Sequence, residues 1–220
     1  MTGYLALVGG SEWMEGCSYD ADLLAASGAG EVAVLPTAAA YENPGKVTAR
    51  AEKWFAGLGA SIREVPVFNR PAARDASHVV AVRDAQFIYI ADGSSQHLRS
   101  VLKDTPLWAA VVEAWQSGAV LAASAQAATA LCDHMVDARG GAFTVGLGLV
   151  TTLTVIPHYD LWSADKSHRT VKLARPDLIV AGVDERTALV RDPQGHWSIA
   201  GAGSATLFRA GKTIGLDALD

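Results

Sequence analysis

Short apolar runs recur along the chain at Tyr4–Val8, Val32–Leu35, Ile62–Val67, Phe87–Ile90 and Val120–Ala123, with helical periodicity between them. Val47, Ala51, Trp54, Phe55 and Leu58 form one apolar stripe that predicts a helix stopped by Gly59. Leu107, Val111, Val112 and Trp115 repeat the pattern behind Pro106, a favourable first helical residue, and stop at Gly118. Continuous apolar strands alternating with amphipathic helices are the pattern of a sheet covered on both sides. The expected fold is therefore α/β, a three-layer arrangement with a mostly parallel central sheet. Thr154–Ile156, expected near the sheet centre, and Ile179–Val183 read as further core strands. Thr187–Arg191, Ser198–Ala200 and Ala205–Phe208 are separated by Asp192-Pro193-Gln194-Gly195 and Gly201-Ala202-Gly203, which are turn signals. They predict antiparallel strands added to the sheet edge near the C-terminus. No repeat, linker or charge block divides the sequence, so a single domain over residues 1–220 is expected.

Composition narrows the functional classes. Half of the 220 residues are hydrophobic and 19% are charged, which excludes a disordered chain. A formal charge of -5 gives no electrostatic reason to bind nucleic acid or an anionic membrane. The mostly apolar stretch from Leu107 to Gln126 is interrupted by Glu113, Gln116 and Ser117 and does not read as a membrane span, so a soluble cytoplasmic protein is expected. Two cysteines, Cys17 and Cys132, are too few for a disulfide framework and read as small buried residues. The six histidines show no paired spacing, so neither metal nor cofactor is expected.

In open α/β sheets, sites form beyond the carboxyl ends of strands. Those ends carry Gly9-Gly10-Ser11-Glu12, Pro36-Thr37-Ala38, Asp92-Gly93-Ser94-Ser95, Ser124-Ala125-Gln126 and Pro157-His158-Tyr159-Asp160. Ser124, at the end of a strand that turns at once into a helix, stands in the context of a nucleophile elbow; a plain helix cap is the alternative. His158 is the candidate general base, and Asp184-Glu185 follow a strand and can orient an imidazole. The backbone N–H groups of Ala125 and Gly93 are candidate oxyanion donors.

Together these blocks resemble the serine peptidase family that contains dipeptidase E and cyanophycinase, a branch of the class I glutamine amidotransferase-like fold. The resemblance runs from Gly9-Gly10 and Leu35-Pro36-Thr37-Ala38 through Ile88–Leu98 and the Ser124 turn. It continues with Gly146-Leu147-Gly148-Leu149, Pro157–Asp160 and Gly182–Leu189. It implies a serine-type peptidase or amide hydrolase acting through an acyl-enzyme, with Ser124 as nucleophile, His158 as base and Glu185 as the orienting acid. Asp133 or Asp137 is the alternative acid. The resemblance also implies that Arg169 pairs with a substrate carboxylate.

Three positions depart from the family pattern. Ala122 and Gln126 replace the glycines flanking the elbow, and Asp92 brings a negative charge into the oxyanion loop. Gln126 and Asp92 thus join Arg169 as candidate substrate-binding residues. A catalytically silent member that binds ligands or partners is the second reading. The expected partner is a small peptide or amide, and a homodimer is compatible with the sequence, with Trp13 and Trp162 as candidate exposed aromatics at its contact or at the cleft rim.

Overall fold

A computed structural model describes residues 1–219. In chain order, its strands and helices are β1 (Leu5–Val8), α1 (Tyr19–Ser27), β2 (Glu31–Leu35), α2 (Pro44–Gly57), β3 (Ser61–Glu64), α3 (Ala76–Arg83), β4 (Phe87–Ile90), α4 (Ser95–Leu102), α5 (Pro106–Gln116), β5 (Val120–Ser124), α6 (Gln126–Leu131), β6 (His134–Val136), β7 (Phe143–Val145), β8 (Leu153–Ile156), α7 (Ala164–Leu173), β9 (Ile179–Val183), β10 (Thr187–Arg191), β11 (Trp197–Gly201), β12 (Ala205–Arg209) and β13 (Lys212–Ile214). Local chemistry sets several helix starts: Asn43, Ser94 and Thr105 accept backbone N–H bonds at the heads of α2, α4 and α5. Pro44 and Pro106 occupy first-turn positions that need no N–H partner.

The central sheet has the order β11-β10-β1-β5-β4-β2-β3. The five strands from β1 to β3 run parallel, and β10 and β11 join antiparallel at the β1 edge. Strand parity divides the core into two layers. Leu5, Leu7, Ile88, Ile90, Leu121 and Ala123 face α3, α4, α5 and α6. Ala6, Val8, Phe87, Tyr89, Val120 and Ala122 face α1 and α2, where Phe55 is fully buried. Removing one such aromatic from water stabilises the fold by about 1.5–3 kcal/mol.

The three-layer α/β expectation holds, with one relocation. Thr154–Ile156 and Ile179–Val183 do not enter the central sheet; they pair in parallel within a second sheet of order β13-β12-β9-β8. Ala205–Phe208 goes with them, so only two of the three late strands extend the central sheet. The reason is packing: Leu153, Val155, Ile179 and Ala181 cover the α6 side of the core, while Ile156 and Val180 bury a third, smaller apolar cluster with Val171 of α7. His158 therefore approaches the central sheet from a neighbouring sheet.

Candidate active site

Val8, Gly9 and Gly10, at the end of β1, tie three segments together. Ala125 N–H donates to the Val8 carbonyl, His158 N–H to Gly9 and Arg186 N–H to Gly10, at 2.8, 2.7 and 2.8 Å. Gly10 has φ +126°, and a β-carbon there would lie 2.2 Å from the His158 ring. Only glycine allows the imidazole to lie so close against this loop. The ends of β1, β4, β5 and β8 and the start of β10 thus converge on one cleft.

His158 and Glu185 are brought together: His158 Nδ1 and Glu185 Oε1 are 2.9 Å apart, each side chain about one quarter exposed. Glu185 is itself held, its N–H donating to Asp160 Oδ1 at 3.0 Å. An acid bonded to Nδ1 orients the ring and turns Nε2 outward. Asp133 lies beside His134, and Asp137 pairs with Arg139, so the alternative acids are engaged elsewhere.

Ser124 is not brought to His158. Parity places it on the side of Val120 and Ala122, where it is fully buried and its hydroxyl donates to Glu12 Oε2 at 2.8 Å. Glu12 is also buried and accepts from Arg50 Nη2 at 2.8 Å. The apex of the strand-to-helix turn is the next residue, Ala125, with φ +46° and ψ -110°. This conformation lies outside the regions open to ordinary L-residues and costs of order 1–3 kcal/mol. A nucleophile elbow gives that strained position to its nucleophile. Framed on the apex, the turn reads Ala123-Ser124-Ala125-Gln126-Ala127 in place of Gly-x-Ser-x-Gly.

The oxyanion donors shift by the same one residue. Ala125 N–H is consumed by the Val8 carbonyl and cannot point into the cleft, which corrects the expectation for that residue. Gln126 N–H and Gly93 N–H do converge, and both donate to one atom, Asp92 Oδ1, at 3.0 and 2.6 Å. Asp92 Oδ2 lies 3.8 Å from His158 Nε2, an ion-pair contact rather than a hydrogen bond. The Asp92 carboxylate raises the His158 pKa above its ordinary value of 6.5, with a smaller contribution from Glu185 and an opposing one from partial burial. Gly93 is pinned: its φ is +150°, and a β-carbon would fall 2.3 Å from the Ala38 backbone. The Gln126 side chain turns to Ser95, whose hydroxyl donates to Gln126 Oε1 at 3.3 Å.

Arg169 stands on the exposed side of α7, near Lys166, and among the described residues no hydrogen bond or ion pair links it to this cleft. Trp13, expected to be exposed, is buried between Phe55 and Tyr89 with Arg50 over its ring. Among the described residues, no group of three or more His, Cys, Asp or Glu side chains could hold a metal ion. No helix there is long and apolar enough to cross a membrane.

Arg50 is not among the residues the sequence singles out, Glu12 stands out there only as part of the loop after β1, and Ala125 only as an N–H donor. Counting alternate positions from Val120 assigns Ser124 to the α1/α2 face, whereas the bend at Ala125 is set by its backbone torsion.

A parallel α/β sheet with a strained strand-to-helix turn, a His–Glu pair and converging N–H donors defines a hydrolase-like architecture. The profile of Peptidase family S51 matches residues 5–196, and the chain belongs to that family. It is 25% identical over 189 residues to cyanophycinases of Nostoc sp. (strain PCC 7120 / SAG 25.82 / UTEX 2576) and Trichormus variabilis (strain ATCC 29413 / PCC 7937), covering 80% of this chain. It spans only 62% of the length of those relatives. A solved peptidase from an acI-B1 Actinobacterium superposes with a TM-score of 0.84 at 28% identity, covering 97% of both chains. A putative peptidase E protein from Listeria monocytogenes EGD-e shares the fold at a TM-score of 0.65 and 16% identity, with 95% and 99% covered.

Proposed function

We propose that this chain is a family S51 member that binds a small peptide- or amide-type ligand in the cleft between Gly93, Gln126 and His158 and forms no serine acyl-enzyme. Family membership supports peptide- or amide-bond chemistry at the level of the family. The observation that carries the narrower reading is the methyl group at the strained apex, Ala125, with the neighbouring Ser124 hydroxyl committed to buried Glu12. An acyl-enzyme needs a hydroxyl within reach of both the base and the oxyanion donors. Here the donors are bonded to Asp92, which opposes the build-up of negative charge at that point.

The second reading is hydrolysis through Ser124, favoured by the intact His158–Glu185 pair at 2.9 Å. It requires the Ser124 side chain to leave Glu12 and the turn to rearrange. A fluorophosphonate probe separates the two. Under the first reading the wild-type chain and S124A both stay unlabelled, while the double variant A125S/D92G is labelled. Labelling of the wild-type chain that disappears in S124A establishes the second reading and overturns the first.

A further inference from the structure

The cleft contains a carboxylate already, and it belongs to the protein. Asp92 Oδ1 takes both the Gly93 and Gln126 N–H bonds, and Asp92 Oδ2 faces His158 Nε2. Two convergent N–H donors and an imidazole make a cradle for a planar anion with two oxygens, one on the N–H pair and one toward the ring. The Asp92 side chain is about one third exposed, so the cradle is open to solvent on one side. The backbone of the cradle is tied in place: Gly93 is packed against the Ala38 backbone, and Ser94 N–H donates to the Ala38 carbonyl at 2.8 Å. Ala125 N–H and His158 N–H fix the other two walls to β1 and Gly9.

We infer that this cradle is a binding site for a free ligand carboxylate, of the kind that ends a peptide, and that Asp92 is the built-in occupant such a ligand must displace. The inference rests on the reading of the cleft as a ligand site without acyl chemistry and adds the ligand class and its competitor. A carboxylate that enters gains two charge-assisted N–H bonds and the imidazole, and Asp92 loses the same set, so affinity in the wild-type chain is the difference between the two. Removing the Asp92 carboxylate frees the donors and exposes the full affinity. Asp92→Asn does not, because its amide oxygen can still accept both N–H bonds.

The test is a titration of wild type, D92A and D92N with acetate, N-acetylglycine and N-acetylglycinamide at constant ionic strength, read by thermal shift and by the amide resonances of Gly93 and Gln126. D92A is expected to bind acetate and N-acetylglycine at least ~10-fold more tightly than wild type or D92N, the factor that one charge-assisted hydrogen bond supplies. N-acetylglycinamide, which lacks the carboxylate, leaves all three chains unmoved. Equal affinity in wild type and D92A, or equal response to the amide and the acid, overturns the inference. Should D92A fail to fold, the wild-type chain decides: the Gly93 and Gln126 amides shift saturably at high acetate, and unshifted amides overturn the inference. An unlabelled wild-type chain that ignores carboxylates sinks this inference alone, whereas fluorophosphonate labelling at Ser124 sinks the reading beneath it.

Discussion

Ser124 and Glu12 are joined by a 2.8 Å hydrogen bond, although 112 positions separate them in the chain and both are buried. The bond ties the end of β5 to the loop after β1, and the Arg50 ion pair on the other Glu12 oxygen extends the tie to α2. The serine hydroxyl here satisfies a buried acceptor. Ser124→Ala is therefore expected to lower stability by about 2 kcal/mol, the range for a buried hydrogen bond to a charged group. Urea unfolding of the two chains measures this. A variant as stable as wild type contradicts the structural role.

The Ser124–Glu12 pair also marks how far the sequence could be read. Apolar runs mark β1, β2, β4 and β5, because a strand buried on both faces has few polar positions to hide it, whereas β3 is an exposed edge strand that reads Ser-Ile-Arg-Glu and overlaps only the start of the Ile62–Val67 run. The His158–Glu185 pair is legible because each residue stands two positions beyond the end of a strand. The second sheet was not, since a buried strand in one sheet has the same composition as a buried strand in another, and only the packing of Ile156 and Val180 against Val171 distinguishes them. The apex of the turn is hidden in the sequence for a related reason. Ser124 and Ala125 both suit a strand end by residue type, and backbone torsion alone identifies which one stands at the apex.

The raised pKa of His158 has a defined stability sign. A folded-state value above the ordinary 6.5 contributes stability that is fully present below 6.5 and is lost as pH rises through the raised value. Asp92 is the largest cause, so Asp92→Asn lowers the His158 pKa and flattens the fall in Tm as pH rises above about 6.5. An NMR titration of the His158 ring gives the direct measurement. An unchanged midpoint in D92N refutes the assignment of the shift to the carboxylate.

Cys17 and Cys132 are both buried, and burial pushes the Cys132 thiol up to about 12. Thiolate is the reactive form, so little of it is present at neutral pH. Cys17 is shifted upward by the same cause. A thiol reagent such as iodoacetamide is expected to modify neither in the folded chain and both in denaturant, with the products counted by mass spectrometry. Modification of either cysteine in the folded chain at a rate like that of a free thiol contradicts the burial.

Asp20 is fully buried on the α1/α2 side, and burial raises its pKa well above 3.8. Its Oδ2 accepts from Trp54 Nε1 at 2.9 Å, while Oδ1 has no partner among the described residues. Glu12 adds a smaller push in the same direction. A raised carboxyl pKa makes the folded state hold a proton that the unfolded state has released. Stability is thus lost progressively as pH rises from about 4 through the folded value. Asp20→Asn keeps an oxygen for Trp54 and has no proton to lose. Its Tm at neutral pH is expected to exceed that of wild type, and the advantage shrinks as the pH is lowered toward 4. Asp20→Ala, which abandons the Trp54 N–H, is expected to be less stable than D20N by about 1–3 kcal/mol, the cost of a buried unsatisfied donor. If D20N is destabilised at neutral pH as much as D20A, Asp20 works as a buried charge, and the protonated assignment fails.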